Sequence, residues 1–208
     1  MCKRMPCESN NNAKRGETMQ MKEALKINPN RKLVECSSAI AEAVALCRPA
    51  VIATYPITPQ THIVEMLSKM HSEGRINSEM INVESEHSAM SACIGAEACG
   101  VRTFTASSSQ GIALMSEMLF IASGMRLPVV MAVANRALSS PINIWNDHSD
   151  TMAQRDSGWL QFYCENAQEA YDTMLQAYKI SEHKDILLPS MVCVDGFTLS
   201  HLLEPVQM

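Results

Sequence analysis

From residue 36 onward the apolar positions of the chain alternate between two periods. SSAIAEAVALCR (37–48) places Ala39, Ala43 and Leu46 on one helical face, with Ser37 or Ser38 as its cap. AVIATYP (50–56) is a short apolar run stopped by Pro56, the pattern of a buried strand. PQTHIVEMLSKMHSEG (59–74) returns to helical spacing and ends on Gly74. INVES (81–85) reads as a strand, and EHSAMSACIGAEAC (86–99) as a helix closed by Gly100. RTFTAS (102–107) is a further strand, followed by a loop, SSQG, and one long apolar helix, IALMSEMLFIASGM (112–125). LPVVMAVAN (127–135) has the continuous apolar run of a central strand. Residues 147–157 are polar and predict a surface helix. LQFYC (160–164), NAQEAYDTMLQAYKISEH (166–183) and LPSMVCVDG (188–196) add a strand, a capped amphipathic helix and a last strand. Strands alternating with helices of this length predict an α/β fold: a mostly parallel, twisted sheet with helices on both faces.

The first 30 residues break the pattern. They are polar and Asn-rich, and are expected to be a disordered, basic leader. Met19 or Met21 is a candidate for the true start. Residues 31–208 are then read as one domain. Net charge is −5, but residues 1–35 carry eight Lys/Arg and four Asp/Glu, leaving a clearly acidic remainder of nine and 18. That balance speaks against a nucleic-acid-binding face. No run of about 18 apolar residues predicts a membrane span, and the N-terminus lacks an apolar signal core. The expected location is the cytoplasm. Eight cysteines at 2, 7, 36, 47, 93, 99, 164 and 193 form no CxxC pair, which fits reduced thiols and gives no metal or iron–sulfur signature.

In open parallel sheets, ligands gather at the carboxyl ends of the strands. Four such ends are chemically unusual here. YPITPQT (55–61) is a rigid loop with Thr58 between two prolines. ESEH puts Glu84, Glu86 and His87 at a strand–helix junction, where acids cap a helix or serve a ligand. SSSQG (107–111) is either a cap or an anion site at a helix start. NRALSSP (135–141) puts Arg136 at the end of a buried strand, as an ion-pair partner or a ligand contact. Together these suit a pocket for a small carboxylic acid. His148 in WNDHSD reads as a hydrogen-bonded turn or as an acid–base group. No GxGxxG, GxxxxGK[ST], HExxH or GxSxG occurs.

YPITPQT, VESEHSAMSACIGAEACG, TFTASSSQGIALMSEMLFIASGMRLPVVMAVANRALSSPINIWNDHSD and VDGFTLSH, in this order, resemble the first domain of the α chain of the pyruvate:ferredoxin oxidoreductases, members of the 2-oxoacid:ferredoxin oxidoreductase family. ANRALSSPINIWNDHSD is closer to the pyruvate branch than to the 2-oxoglutarate branch. The resemblance implies the pyrimidine-binding module of a thiamine diphosphate enzyme. It implies that Glu86 hydrogen-bonds the ring nitrogen N1′ of the aminopyrimidine and so promotes the imino tautomer that deprotonates C2 of the thiazolium. It puts Thr58 and Arg136 on the substrate carboxylate, with Arg136 also beside the cofactor, and Pro56 at a backbone position beside the pyrimidine. Glu84 is left to capping or support.

The implied reaction oxidises pyruvate to acetyl-CoA and CO₂ and passes electrons through iron–sulfur clusters to ferredoxin. The chain has no GDG-type diphosphate and magnesium motif and no cysteine-rich cluster motif, so neither a metal nor a cluster is expected on it. Those groups are expected on partners: a diphosphate-binding β chain, a ferredoxin-like chain and a γ chain. Cys36-Ser-Ser replaces the Gly-Asn-like start usual before the first helix. The chain ends at 208 where the family's α chains continue, so a fragment or separately encoded remainder is expected. Two alternatives stand beside this: a sister enzyme acting on a branched-chain or aryl 2-oxoacid, and a non-catalytic assembly module.

Overall fold

The computed structural model describes residues 31–139, 141–143 and 145–208. The expected leader, Met19 and Met21, and Cys2 and Cys7 lie outside the described residues.

Six strands form one sheet: β2 (Val51–Thr54), β3 (Glu79–Asn82), β4 (Thr103–Ser107), β5 (Val130–Asn135), β6 (Leu160–Tyr163) and β7 (Ser190–Asp195). Their order is β3-β2-β4-β5-β7-β6, and every neighbouring pair is parallel. All six residues of β5 are buried, as its unbroken apolar run requires in a sheet covered on both sides. The sheet is the expected α/β architecture. A second, two-stranded sheet pairs β1 (Arg31–Glu35) with β8 (Leu203–Gln207). Neither strand carries enough alternation to be read from sequence.

Strand alternation divides the core. One side packs Met131, Val133, Met191 and Cys193 against α3 (Glu86–Ala98), α4 (Ser109–Leu114) and α5 (Ser116–Gly124), through Met90, Cys93, Ile112, Met115 and Leu119. The other side packs against α1 (Cys36–Cys47) and α7 (Ala167–Ser181), whose Ile40, Val44 and Met174 are buried. Burying each such side chain contributes about 1.5–3 kcal/mol. α2 (Thr61–Ser72) lies beside α1, and Gly74, at φ 72°, ends it as expected.

Four expectations are corrected. Neither Ser37 nor Ser38 caps α1, since both lie inside the helix. The Ser37 hydroxyl donates to the Ser200 carbonyl at 2.9 Å, and the N-cap is Glu35, without a side-chain bond. Leu46 is exposed, because the buried face of α1 runs through Ile40, Ala43, Val44 and Cys47 instead. The long helix 112–125 is two helices broken at Met115 (φ −87°, ψ 5°), and the first begins three residues earlier, inside the expected loop. Residues 147–157 do not form a surface helix. Only Ser149–Met152 (α6) is helical, and Asp150 and Thr151 are buried.

The sheet order positions the site. The chain steps from β2 outward to β3, then returns to the other side of β2 for β4, so a topological switch lies between β2 and β4. These strands pair only through Val51–Thr103 and Ile52–Phe104. Beyond that point their carboxyl ends are not paired with each other, which opens a crevice.

Candidate functional site

Three loops converge on the crevice: the one after β2 carries Thr58, the one after β3 leads to Glu86, and β4 runs into Ser109-Gln110-Gly111. Glu86 opens α3. Ser85 is the N-cap, its hydroxyl accepting from the Ser88 N–H at 3.2 Å, and Glu84 accepts from the Ser88 hydroxyl at 2.9 Å. Glu84 is exposed and completes the cap, the supporting role expected of it. Hydrogen bonds from the backbone and from Ser88 hold its carboxyl below the usual range. Glu86 differs in having 6% exposure and no side-chain hydrogen bond to any described residue. A carboxylate at a helix N-terminus gains from the dipole, and one with little exposure and no protein donor is open to a donor from a ligand.

Gly111 faces this carboxylate. A Cβ on Gly111 would lie 2.7 Å from Glu86 Oε1 and 2.8 Å from its Cγ, and still nearer Ser107 Oγ. Only a glycine lets the α4 backbone lie this close. The Ser107 hydroxyl is buried without a partner, as are those of Thr105 and Ser108 along the same strand end.

Arg136, at the end of β5, points to the same end of the sheet. Nη1 donates to the Thr58 carbonyl at 2.6 Å and Nη2 to Gln110 Oε1 at 2.9 Å. Both acceptors are neutral, and no carboxylate among the described residues forms an ion pair with Arg136. The guanidinium charge is held in place but not neutralised, which favours an anionic ligand. Thr58, Pro59, Arg136, Gly196, Phe197 and His201 line a cleft of about 250 Å³. A larger cleft, about 500 Å³, lies at the opposite strand ends around Gly100, Arg102 and Arg126. Its Arg102 is paired with Glu182 (Nη2 to Oε2, 2.6 Å), while its Arg126 donates to the Ile186 carbonyl.

The structure thus joins Thr58 and Arg136 directly, and joins both to the Glu86 side through Gln110–Gly111. It is the Thr58 carbonyl, not its hydroxyl, that meets Arg136. Pro56 is exposed and does not line the cleft. His87 is half-buried, with Nε2 4.0 Å from Glu117 Oε2. His148 is exposed, its Nε2 3.4 Å from Asn146 Nδ2 in a turn. Among the described residues no group of three His, Cys, Asp or Glu is placed to hold a metal ion, and no helix is long and apolar enough to cross a membrane.

Sequence reasoning missed Gly111 and Asp150. Asp150 is 1% exposed, and its carboxylate accepts from Ser109 N–H (3.0 Å), Arg136 N–H (3.1 Å), Asn135 Nδ2 (2.8 Å) and Thr151 N–H (2.8 Å). Ser109 sits at φ 47°, a conformation costly for a side-chain-bearing residue, and the bond to Asp150 helps hold it. Asp150 stands in a run of polar residues, and a polar run alone does not distinguish a solvated turn from a buried bracket.

Residues 42–208 match the family described as pyruvate flavodoxin/ferredoxin oxidoreductase, thiamine diphosphate-binding. The chain belongs to this family. The matched span holds Thr58, Glu86, Gly111, Arg136 and Asp150. Among curated relatives of the pyruvate flavodoxin/ferredoxin oxidoreductase family, the chain is 65% identical to pyruvate synthase subunit PorA of Methanocaldococcus jannaschii, over 84% of this chain and 45% of that protein. It is 50% identical to ketoisovalerate oxidoreductase subunit VorA of Pyrococcus furiosus, over 88% of this chain and 46% of that protein. The chain therefore spans about half the length of these relatives. Among solved structures, 2-oxoglutarate:ferredoxin oxidoreductase from Magnetococcus marinus superposes with a TM-score of 0.76 at 20% identity, over 92% of this chain and 36% of that one. At that identity the likeness speaks for the fold alone, which it shares.

Proposed function

We propose that residues 31–208 form the pyrimidine-binding domain of a thiamine diphosphate enzyme. The chain works within a complex that oxidatively decarboxylates pyruvate to acetyl-CoA and CO₂ and passes the electrons to ferredoxin. The observation that carries the reading is Glu86: a largely buried residue whose carboxylate meets no donor among the described residues, at the crevice of the sheet and facing a glycine. Family membership and the relatives named pyruvate synthase subunit support it.

The residues present fit the cofactor. Glu86 would accept a hydrogen bond from a protonated ring nitrogen of the aminopyrimidine, with Pro56 at the backbone beside that ring. In a dry pocket such a bond is strong and fixes the protonation state of its partner. Thiamine diphosphate, when bound, supplies the nucleophilic carbon and the electron sink that a 2-oxoacid decarboxylation needs. The chain's own part is to hold and orient. Arg136, charged and without a counter-ion, would seat the substrate carboxylate, also flanking the cofactor, and Thr58 would complete the seat. The buried Ser107 hydroxyl would close the floor beside Glu86. A partner β chain would supply the diphosphate and magnesium site, and a ferredoxin-like chain the iron–sulfur clusters, with a γ chain completing the assembly.

The 50% identity to a ketoisovalerate oxidoreductase subunit favours one alternative, a branched-chain 2-oxoacid as substrate. One experiment separates the readings. The chain is affinity-purified anaerobically from its native cells with its partners. Coenzyme-A-dependent viologen reduction is then measured with pyruvate, 2-oxoisovalerate and 2-oxoglutarate. Reduction with pyruvate alone is expected. Preference for 2-oxoisovalerate moves the chain to the sister activity. No reduction by a preparation containing thiamine diphosphate and all partner chains overturns the catalytic reading in favour of an assembly module.

A further inference from the structure

Asp150 belongs neither to the cofactor pocket nor to the carboxylate seat, yet it ties their two supports together. One carboxylate oxygen, Oδ2, takes the backbone N–H of Ser109 at 3.0 Å and that of Arg136 at 3.1 Å. Ser109 is the first residue of α4, two before Gly111, and Arg136 is the proposed substrate-binding cation. The other oxygen, Oδ1, takes Asn135 Nδ2 and Thr151 N–H, both at 2.8 Å. Four donors occupy the roughly four lone-pair sites of a carboxylate. No cation forms an ion pair with Asp150 among the described residues. The group acts as an acceptor bracket between the ends of β4 and β5.

We propose that Asp150 is a positioning residue for substrate binding, setting where the Arg136 backbone leaves β5 relative to Gln110, and hence where the guanidinium points. This rests on the reading above that Arg136 seats the substrate carboxylate. The chemistry at 150 demands a carboxylate. Asparagine has the same shape but only one accepting atom, so its NH₂ would face either the Ser109 and Arg136 N–H groups or the Thr151 N–H. At least one backbone donor loses its partner.

The test is a double-mutant cycle in the purified complex, reading KM for pyruvate, kcat, subunit content and thermal unfolding. Asp150→Asn is expected to raise KM about 10-fold, with a smaller fall in kcat, because a small misplacement of a clamp is felt at the reacting geometry. Arg136→Lys alone is expected to raise KM as well. Combined, the two should give little more than Arg136→Lys alone, since Asp150 acts through Arg136. Ser149→Ala removes the bond to Leu138 N–H (3.2 Å) in the same turn while sparing Asp150, and should leave KM within twofold. Fully additive effects, or a lowered unfolding temperature with unchanged KM, would mean that Asp150 only stabilises the fold and would overturn the proposal. An unchanged KM in Arg136→Lys alone would instead sink the carboxylate seat itself and remove the proposal's premise, an outcome readable before Asp150 is altered.

Discussion

Gly111→Ala is the sharpest test of the pocket geometry, because one methyl group is set against two opposing effects. In a helix, replacing glycine with alanine ordinarily stabilises by about 1 kcal/mol. Here the methyl carbon would sit 2.7 Å from Glu86 Oε1 and 2.8 Å from Glu86 Cγ, with Ser107 Oγ closer still. Ordinary C···O contacts begin at about 3.3 Å, so the Ser107 hydroxyl, 2.4 Å away, must retreat by about 0.9 Å and the Glu86 carboxylate by about 0.6 Å, or α4 must lift. Overpacking a buried site costs about 1–3 kcal/mol. The two effects nearly cancel, leaving a net destabilisation of about 0–2 kcal/mol. Function does not cancel in the same way, since displacement of a positioned group by about 1 Å can cost about 100-fold. The complex carrying Gly111→Ala is therefore expected to assemble, to melt within a few degrees of wild type and to lose about 10- to 100-fold in pyruvate-dependent viologen reduction. Pairing it with Ser107→Gly, which removes the nearest obstacle, should recover part of the loss. A correctly assembled Gly111→Ala complex with turnover within twofold of wild type would refute the claim that this glycine exists to admit the Glu86 carboxylate.

Glu86→Gln should leave subunit composition intact and lower turnover by at least about 100-fold, since a neutral amide cannot stand in for a hydrogen-bonded carboxylate; retained turnover would show that Glu86 has another role. Arg136→Met should raise KM for pyruvate about 10- to 100-fold, the worth of a hydrogen bond to a charged group, measured by steady-state kinetics at fixed coenzyme A. Burial pushes the Cys47 and Cys164 thiols up to about 11 and Cys93 up to about 12, while Cys99 is exposed. Thiol-specific labelling of the folded protein at pH 8 should therefore modify Cys99, with Cys47, Cys93 and Cys164 reacting only after unfolding. The same shifts set a pH trend. These thiols ionise near 9 when unfolded and near 11–12 when folded, so the stability present below pH 9 should fall as pH rises from about 9 to 12. Denaturant titrations from pH 7 to 10.5 read this directly, and a rise in stability over that range would contradict it.

Much of the fold was legible because local pattern and tertiary environment agree. β5 is apolar throughout and lies inside the sheet, and α7 carries both the amphipathic spacing and an Asn166 cap that accepts from Glu169 N–H at 2.8 Å. The helix break at Met115 was not legible, because IALMSEMLFIASGM has apolar residues on every face and no Gly or Pro at the break. Leu46 misled for a related reason: apolar residues also stand on the exposed side of a helix, and only packing says which stripe is buried.

For the site, the sequence by itself determined which chemistry stands at the strand ends. Glu86, Thr58 and Arg136 each follow a recognisable strand, and strand ends of parallel sheets gather on one edge. Strand order, by contrast, is written in no local pattern. Only the folded sheet, with β2 lying between β3 and β4, put the switch point where Glu86 and Gly111 meet. Only packing showed that Gly111 is an approach surface, not a loop residue, and that Asp150 is a buried bracket within a polar run. Periodicity reports what one segment prefers for itself. The roles of a glycine that yields space and a carboxylate that joins two backbones are set by neighbours 25 and 14 or more residues away, brought together only when the strands are ordered.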